Sequence, residues 1–168
     1  MFQTPSWTDD IQDFQIEGMS IGDSLLDYYS IESQKEMSQA YDKKNKFTSV
    51  IISDPAFQTY NQIQVTHTGK KQEILAIEGL KHMANNYKAC LHRKRSVIVE
   101  VENMFYNKDQ IEMYVQDEKK HPIDKSGKSK FQTTHLNFKT SGSIRFTCYD
   151  WSKELTDKRG WIDSLSVS

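Results

Sequence analysis

The sequence lacks long apolar runs, a strong net charge and closely spaced metal ligands, and each absence argues against a class of protein. No stretch approaches the ~20 apolar residues of a membrane-spanning helix. The first ten residues, MFQTPSWTDD, have neither the basic nor the apolar region of a secretory leader, so the sequence as written predicts no targeting segment. The formal net charge is −1, which provides no overall field toward nucleic acid or an anionic membrane.

Histidine and cysteine are too few and too scattered to predict a metal site. The sequence has five histidines and two cysteines, with no pair at the i, i+4 or C-x₂-C spacing of metal ligands. Cys90 and His92 would point ~200° apart on a helix. Residues 127–129 (GKS) have the letters that end a phosphate-binding P-loop, but Pro122 stands where its first glycine is required. We therefore predict no cofactor, no metal and a solvated, lysine-rich loop over residues 117–130.

Acidic residues are concentrated at the start of the chain. Residues 1–34 contain Asp and Glu but neither Lys nor Arg, so the remainder of the chain carries a positive balance. We interpret residues 1–13 as a mobile acidic lead-in and residues 14–168 as a single domain. A solvated acidic face, docking within the chain and a basic partner are all consistent with this distribution.

The hydrophobic periodicity predicts an α+β fold with a mostly antiparallel sheet of about six strands. Ser20 and Asp23 have the form of a capping box before a helix, and Ser30 with Glu32 is expected to cap a second helix that ends near Ala40. Residues 83–106 lack Gly and Pro and predict one long helix packed on the sheet. Alternating polar and apolar residues predict strands in six segments: 46–53, 57–67, 72–80, 130–140, 143–151 and 160–168.

The letters Gly22-Asp23-Ser24-Leu25 match the opening signature of the GDSL hydrolases, which would make Ser24 a nucleophile. Such an enzyme also needs an Asp-x-x-His pair to activate the serine, and none of the five histidines follows an Asp at that spacing. A Gly-x-Asn-Asp block is missing as well. We therefore interpret the motif as a helix cap and keep a serine esterase using Ser24 as an alternative.

A second alternative is nucleic-acid binding through His92, Arg93, Lys94 and Arg95. These four residues lie on the long predicted helix, and the Lys119–Lys130 loop adds further positive charge. Tyr87 and Phe131 are near enough in sequence to supply stacking rings. The balanced net charge favours the simpler interpretation, a solvated helix face.

The two cysteines leave the compartment open. Two free thiols would suit a cytoplasmic protein, whereas a disulfide would suit an exported one. Cys90 lies on the apolar stripe of the predicted helix, and Cys148 lies on the strand face of Ile144 and Phe146. A helix packed on that face would bring the two sulfur atoms together. We therefore predict that they are neighbours, bonded if the protein is exported.

Three segments, IEGMSIGDSLLDYYS, AIEGLKHMANNYKAC and CYDWSKELTDKRGWIDSLSVS, resemble a group of uncharacterised small proteins of marine bacteria. The resemblance covers most of the chain, from about Asp10 to Ser168. Proteins of this group typically carry a secretory leader, so the resemblance implies export to the bacterial envelope, with a Cys90–Cys148 disulfide compatible with that location. It implies no enzymatic activity. From the residues and the resemblance together, we expect a non-enzymatic interaction, scaffold or ligand-binding domain, with a protein among its candidate partners and the periplasm favoured over the cytoplasm.

Overall fold

The computed structural model describes the chain in two compact units. It describes residues 14–41, 46–83, 86–105, 111–139 and 142–168. Within these residues the first unit ends at Lys81 and the second runs from His82 to Val167. The predicted lead-in over residues 1–13 lies outside the described residues, and the interpretation of residues 14–168 as one domain stays a prediction.

The predicted class, α+β with antiparallel strands, is confirmed, but the number of strands is larger than predicted. The described residues contain eleven strands and three α-helices rather than six strands and three helices. The extra strands are two-residue pairs and short segments that alternate too briefly to produce a sequence signal. None of the helices in the described part of the chain is long and apolar enough to cross a membrane.

The first unit is a four-stranded antiparallel arrangement preceded by short elements. Its strands follow the order β3-β4-β5-β6, and β1 pairs with β2 in a separate hairpin. Ile63 and Val65 of β5 are fully buried, so the predicted alternation of that strand is confirmed. The elements are β1 (Gln15–Ile16), β2 (Met19–Ser20), a 3-10 helix (Leu25–Asp27), α1 (Ile31–Lys35), β3 (Ser38–Tyr41), β4 (Phe47–Ile52), β5 (Gln62–Thr68) and β6 (Glu73–His82).

The predicted helix starting at Ser20 is wrong. The Asp23 carboxylate does accept a hydrogen bond from the Ser20 N–H at 2.8 Å, as a capping box requires. However, the Gly22 N–H donates to the Ile74 carbonyl, and the Ile74 N–H donates to the Asp23 carbonyl, both at 2.8 Å. In such a helix the Asp23 carbonyl would accept from the Asp27 N–H and the Leu25 N–H would donate to the Ile21 carbonyl, but the Leu25 N–H donates instead to the Gln72 carbonyl at 3.0 Å, so Ser20 ends β2.

Two other boundaries in the first unit differ from the predictions. Ser30 caps α1 as expected, but the helix ends at Lys35 and β3 follows. The strand predicted over residues 57–67 begins only at Gln62. The preceding loop is held by the Glu17 carboxylate, which accepts hydrogen bonds from the N–H groups of Gln58, Thr59 and Tyr60 at 2.6–2.9 Å.

The second unit is an antiparallel sheet with one long helix. Its strands follow the order β11-β10-β9-β7, and β8 lies beside β9. The helix predicted over residues 83–106 is present with shorter bounds, after Asn86 as its N-cap. The elements are α2 (Tyr87–Met104), β7 (Ile111–Val115), β8 (Lys119–Lys120), β9 (Lys130–Phe138), β10 (Ser143–Asp150), α3 (Lys153–Arg159) and β11 (Ser164–Val167).

A disulfide between Cys90 and Cys148 joins α2 to β10, which confirms the predicted proximity of the two cysteines. Their Cα atoms are 5.9 Å apart, and both side chains are fully buried. Phe146, Leu165 and Val167 are buried with them where α2 packs on β10 and β11. The side chains of β10 alternate, so Cys148 and Phe146 lie on the face toward α2. Tyr149 therefore lies on the opposite face.

We expect the Cys90→Ala/Cys148→Ala variant to lose about 4 kcal/mol of unfolding free energy, because the crosslink closes a 58-residue separation in the unfolded chain. Urea denaturation of the oxidised protein and of the variant would measure the difference. A thiol reductant should lower the midpoint of the wild-type protein and leave the midpoint of the variant unchanged. Equal midpoints for the oxidised and reduced wild-type protein would contradict the expectation.

Candidate functional site

Ser24 caps the 3-10 helix of the first unit. Its Oγ accepts a hydrogen bond from the Leu26 N–H at 3.2 Å and donates to the Lys71 carbonyl at 2.7 Å. A nucleophilic serine donates its hydrogen to a general base, whereas a carbonyl oxygen takes no proton. The geometry therefore gives Ser24 the role of a cap; the sequence predicted a cap in this motif but placed it at Ser20, whereas Ser24 caps a 3-10 helix that begins at Leu25.

The predicted basic surface on α2 needs a correction, because Lys94 points inward. Only 3% of Lys94 is exposed, and its Nζ donates to the Gln132 carbonyl at 3.2 Å and to the Gln132 Oε1 at 3.0 Å. His92, Arg93 and Arg95 are exposed. Arg93 is 3.3 Å from the Glu100 carboxylate. The helical period separates Lys94 from its neighbours, so the four residues do not form one basic patch.

Five aromatic side chains meet on the face of the second unit opposite α2. We call His121, Phe131, Tyr149, Trp151 and Trp161 the aromatic surface. Each of the five is half-buried, unlike the core residue Phe146, which has no exposed surface. Rings that remain partly in water after folding retain area with which to contact a ligand.

The local strand geometry explains why these rings meet. Tyr149 and Trp151 are two residues apart, so they share a face, and their rings stack with centroids 5.1 Å apart and planes 7° apart. Phe131 lies directly opposite Tyr149 in the β9–β10 register. Trp161 reaches Trp151 with a centroid distance of 4.6 Å. The result is a continuous set of ring contacts across one end of the sheet.

His121 is held against Trp151 by the loop that the sequence identified as lysine-rich. Their ring centroids are 4.7 Å apart in an edge-to-face arrangement. Burial lowers the pKa of His121, and the nearby Asp124 carboxylate opposes this shift only in part. The imidazole is therefore favoured in its neutral form near pH 7, in which it packs on the indole as an uncharged ring.

The loop is closed by a single buried carboxylate. Asp124 accepts hydrogen bonds from the Ser126 N–H at 2.9 Å, the Ser129 N–H at 2.8 Å and the Ser129 Oγ at 2.6 Å. The Ser129 Oγ in turn accepts from the Ser152 N–H at 2.8 Å, just before α3. The hydroxyl of Ser129, followed by that of Ser126, holds the pKa of Asp124 well below its usual range. The loop is thus ordered around Asp124 instead of being merely solvated.

Two cations flank the aromatic surface. Lys119 lies opposite Phe131 in the β8–β9 register, which places it on the same face one strand away. The guanidinium of Arg159 lies over the Trp161 ring, 4.9 Å from its centroid. Within the described residues neither has a carboxylate within salt-bridge distance, whereas Lys130 lies 3.3 Å from Glu118. Among the described residues, this surface therefore combines half-buried rings with two cations that no carboxylate pairs.

Tyr87, a predicted stacking residue, lies outside the aromatic surface. Its ring lies under the Lys130 ammonium, with the Nζ 4.5 Å from the ring centroid. Lys130 pairs with Asp150 on the α2 side of the sheet. Burial, followed by the nearby Glu118 carboxylate, raises the pKa of Tyr87. Of the two rings suggested by the sequence, only Phe131 belongs to the aromatic surface.

The first unit offers a shallow depression of about 360 Å³. Its lining is mostly loop, from Ser53 to Asn61, and contains one carboxylate, Asp54. That carboxylate accepts hydrogen bonds from the Ala56 N–H at 2.8 Å and from the Tyr29 hydroxyl at 3.4 Å. Burial, followed by the Asp54 carboxylate, raises the pKa of Tyr29, so its hydroxyl stays protonated beside that carboxylate. The described residues also contain no group of three His, Cys, Asp or Glu side chains arranged to hold a metal.

Sequence reasoning missed the aromatic surface, although some signals were present. The Tyr-x-Trp spacing at residues 149–151 places two rings on one face of a strand. Ser152 and Gly160 mark the two ends of α3: the Ser152 Oγ accepts from the Leu155 N–H, and Gly160 adopts φ 68° as the C-cap. Predicting α3 from these signals would have placed Trp151 just before its start and Trp161 just after its end.

Comparison with protein-family models, with curated proteins and with solved structures finds no match for the chain. The resemblance to exported proteins of marine bacteria therefore stays a prediction.

We expect the unfolding free energy to rise by about 1–2 kcal/mol between pH 7.5 and 9.5 because of Lys94. Burial, followed by the nearby Arg95 charge, lowers the pKa of Lys94 to about 8, whereas an unfolded lysine titrates near 10.4. Across this interval the unfolded state binds more protons than the folded state, so stability increases with pH. Urea denaturation at the two pH values measures the rise. The Lys94→Met variant should show a smaller one, and an identical rise in both proteins would contradict the assignment.

We expect Asp124→Asn to loosen the loop over residues 121–129, because an amide replaces one acceptor oxygen facing Ser129. Limited trypsin digestion at Lys125 and Lys128 should become faster, and mass spectrometry of the fragments would measure it. Asp117→Asn, which changes an exposed acid before β8, is the matched control. Unchanged cleavage rates at both lysines would show that Asp124 does not order the loop.

Proposed function

We propose that this chain is an exported, non-catalytic ligand-binding domain whose ligand contacts the aromatic surface. The observation that carries the proposal is the set of five half-buried rings in mutual contact on the face opposite α2. Tyr and Trp rings provide large, rigid contact areas that lose little conformational entropy when a ligand binds. Trp, Tyr and His are commonly only partly buried, so the feature that supports the proposal is the mutual contact of five half-buried rings on one face.

The exported location is supported by the Cys90–Cys148 disulfide. Disulfides persist in the periplasm and outside the cell, whereas the cytoplasm keeps most thiols reduced. This bond is buried and links the main helix to the sheet, so the fold of the second unit depends on it. The resemblance to exported proteins of marine bacteria points the same way.

Two alternatives have weaker support. A serine esterase would require a base beside Ser24, but its hydroxyl donates to the Lys71 carbonyl. Nucleic-acid binding through residues 92–95 would require Lys94 at the surface, and Lys94 is buried. Labelling of Ser24 by a fluorophosphonate, abolished in Ser24→Ala, would restore the esterase.

The proposal is tested by following the indole N–H resonances of Trp151 and Trp161 in ¹⁵N-labelled protein. The probes are a neutral oligosaccharide (cellohexaose), a polyanionic sugar (a heparin hexasaccharide) and a ten-residue oligothymidylate. We expect at least one probe to shift both resonances saturably, because a ligand on the rings changes their ring-current environment. Trp161→Ala should weaken that binding at least fivefold while the far-UV circular dichroism is kept.

Phe47→Ala is the matched control, because Phe47 is an exposed ring of the first unit with 42% of its surface accessible. It should bind the same probe as the wild-type protein does. The proposal fails if no probe causes a saturable shift, or if Trp161→Ala and Phe47→Ala weaken binding equally.

A further inference from the structure

We infer that the ligand of the aromatic surface is an acidic polysaccharide, a chain of sugar rings that carry carboxylate or sulfate groups. The inference rests on the proposed function and specifies its ligand class. Three features support it: the charge at the edges of the surface, the form of the surface and the disulfide.

Charge is the first feature. Lys119 at one edge and Arg159 at the other have no carboxylate within salt-bridge distance among the described residues. Arg93 is paired with Glu100, and Lys153 with Asp157 at 2.7 Å, whereas Lys88, Arg95 and Lys158 likewise have no carboxylate within salt-bridge distance among the described residues. What distinguishes Lys119 and Arg159 is therefore their position beside the rings. Among the described residues, Asp163 accepts a hydrogen bond from the Trp151 backbone N–H at 2.7 Å and is only 5% exposed, so the cations at the two edges favour an anionic ligand that spans them.

The adjacent loop increases this positive charge. Lys125 and Lys128 of this loop are exposed. The only acid within residues 121–129 is Asp124, whose oxygens accept hydrogen bonds from Ser126 and Ser129. Because that carboxylate faces the interior of the loop, it leaves the lysines as the charges that a ligand meets.

The form of the surface is the second feature. The rings follow one another from Phe131 through Tyr149 and Trp151 to Trp161, with neighbouring centroids 4.6–6.3 Å apart. This row suits an extended chain laid along it better than a compact metabolite, which would need an enclosed pocket. Tyr149 and Trp151 each use one face to stack on the other, and Arg159 lies over one face of Trp161, so the C–H faces of sugar rings, which carry partial positive charge, would pack on the part of the ring surface that stays accessible.

The disulfide is the third feature, because it favours an acidic polysaccharide over single-stranded nucleic acid as the ligand. Single-stranded nucleic acid also uses aromatic rings flanked by cations. A domain stabilised by a buried disulfide functions in an oxidising compartment, outside the cytoplasm where most nucleic acid is bound. Acidic polysaccharides are polyanions that an exported domain meets, so the inference takes them as the ligand in preference to nucleic acid.

The experiment uses two pairs of probes that differ only in charge. Hexagalacturonate is compared with its fully methyl-esterified form, and a heparin hexasaccharide with its fully desulfated, N-acetylated and carboxyl-reduced form. Calorimetry on the oxidised full chain measures the dissociation constants. We expect the charged member of at least one pair to bind at least tenfold more tightly, and its affinity to fall more than fivefold between 50 and 300 mM NaCl.

Substitutions of single cations test whether the preference for the charged probe arises at the aromatic surface. Lys119→Gln and Arg159→Gln should each weaken binding of the charged probe about 3–10-fold, because each removes one ion pair. Lys70→Gln in the first unit and Arg93→Gln on α2 are the matched controls and should bind as the wild-type protein does. Circular dichroism and thermal melting establish that all four variants are folded, and equal effects of site and control variants would overturn the inference.

The outcomes distinguish the ligand class from the function itself. Equal affinity for the charged and neutral members of both pairs overturns the acidic ligand and leaves a carbohydrate-binding function. Binding of the ten-residue oligothymidylate at least tenfold more tightly than any sugar replaces the polysaccharide with a nucleic acid. Failure of every probe to bind overturns the inference and the proposed function together.

Discussion

The bond between Cys90 and Cys148 is the constraint on which the second unit depends. It fixes α2 on one face of β10, and alternation along that strand then decides the side of every neighbouring residue. Cys148 points toward the helix, so Tyr149 points away, and Trp151 follows two residues later. The disulfide on the α2 side thereby determines which side chains lie on the face opposite α2.

The two faces of this sheet differ in how fully their side chains are buried. On the α2 side, Phe146 and Val167 have no exposed surface, as expected of a close-packed core. The inward-pointing Lys94 is tolerated there because the Gln132 oxygens accept its hydrogens. On the other side the rings pack against one another and remain half-buried. These rings therefore keep part of their area in contact with water, unlike the side chains of the α2 face.

The sequence was most informative where neighbouring residues determine the structure. The alternation in β9 and β10 and the uninterrupted helical stretch of α2 were recognisable because each uses a regular period over eight or more residues. The cysteine pairing followed from these two elements. The predicted helix at Ser20 failed because Gly22 and Asp23 bond to Ile74, a partner about fifty residues away that local patterns do not report.

The candidate site was less predictable than the fold for a similar reason. Trp151 and Trp161 are separated by α3, so only the completed turn of the chain brings their rings to 4.6 Å. Lys119 gained its position from β8, a two-residue strand with no signature of its own. Composition showed that aromatic and basic residues were present. Their arrangement depended on contacts between segments that are distant in sequence.

The ordering of the loop by Asp124 has a consequence for substitutions at its two lysines. The hydrogen bonds that order the loop come from Ser126 and Ser129, and none of them involves the Lys125 or Lys128 side chains. Loop shape and loop charge are thus set by different residues. Substitutions at the two lysines would therefore change the charge of the loop while leaving the hydrogen bonds to Asp124 in place.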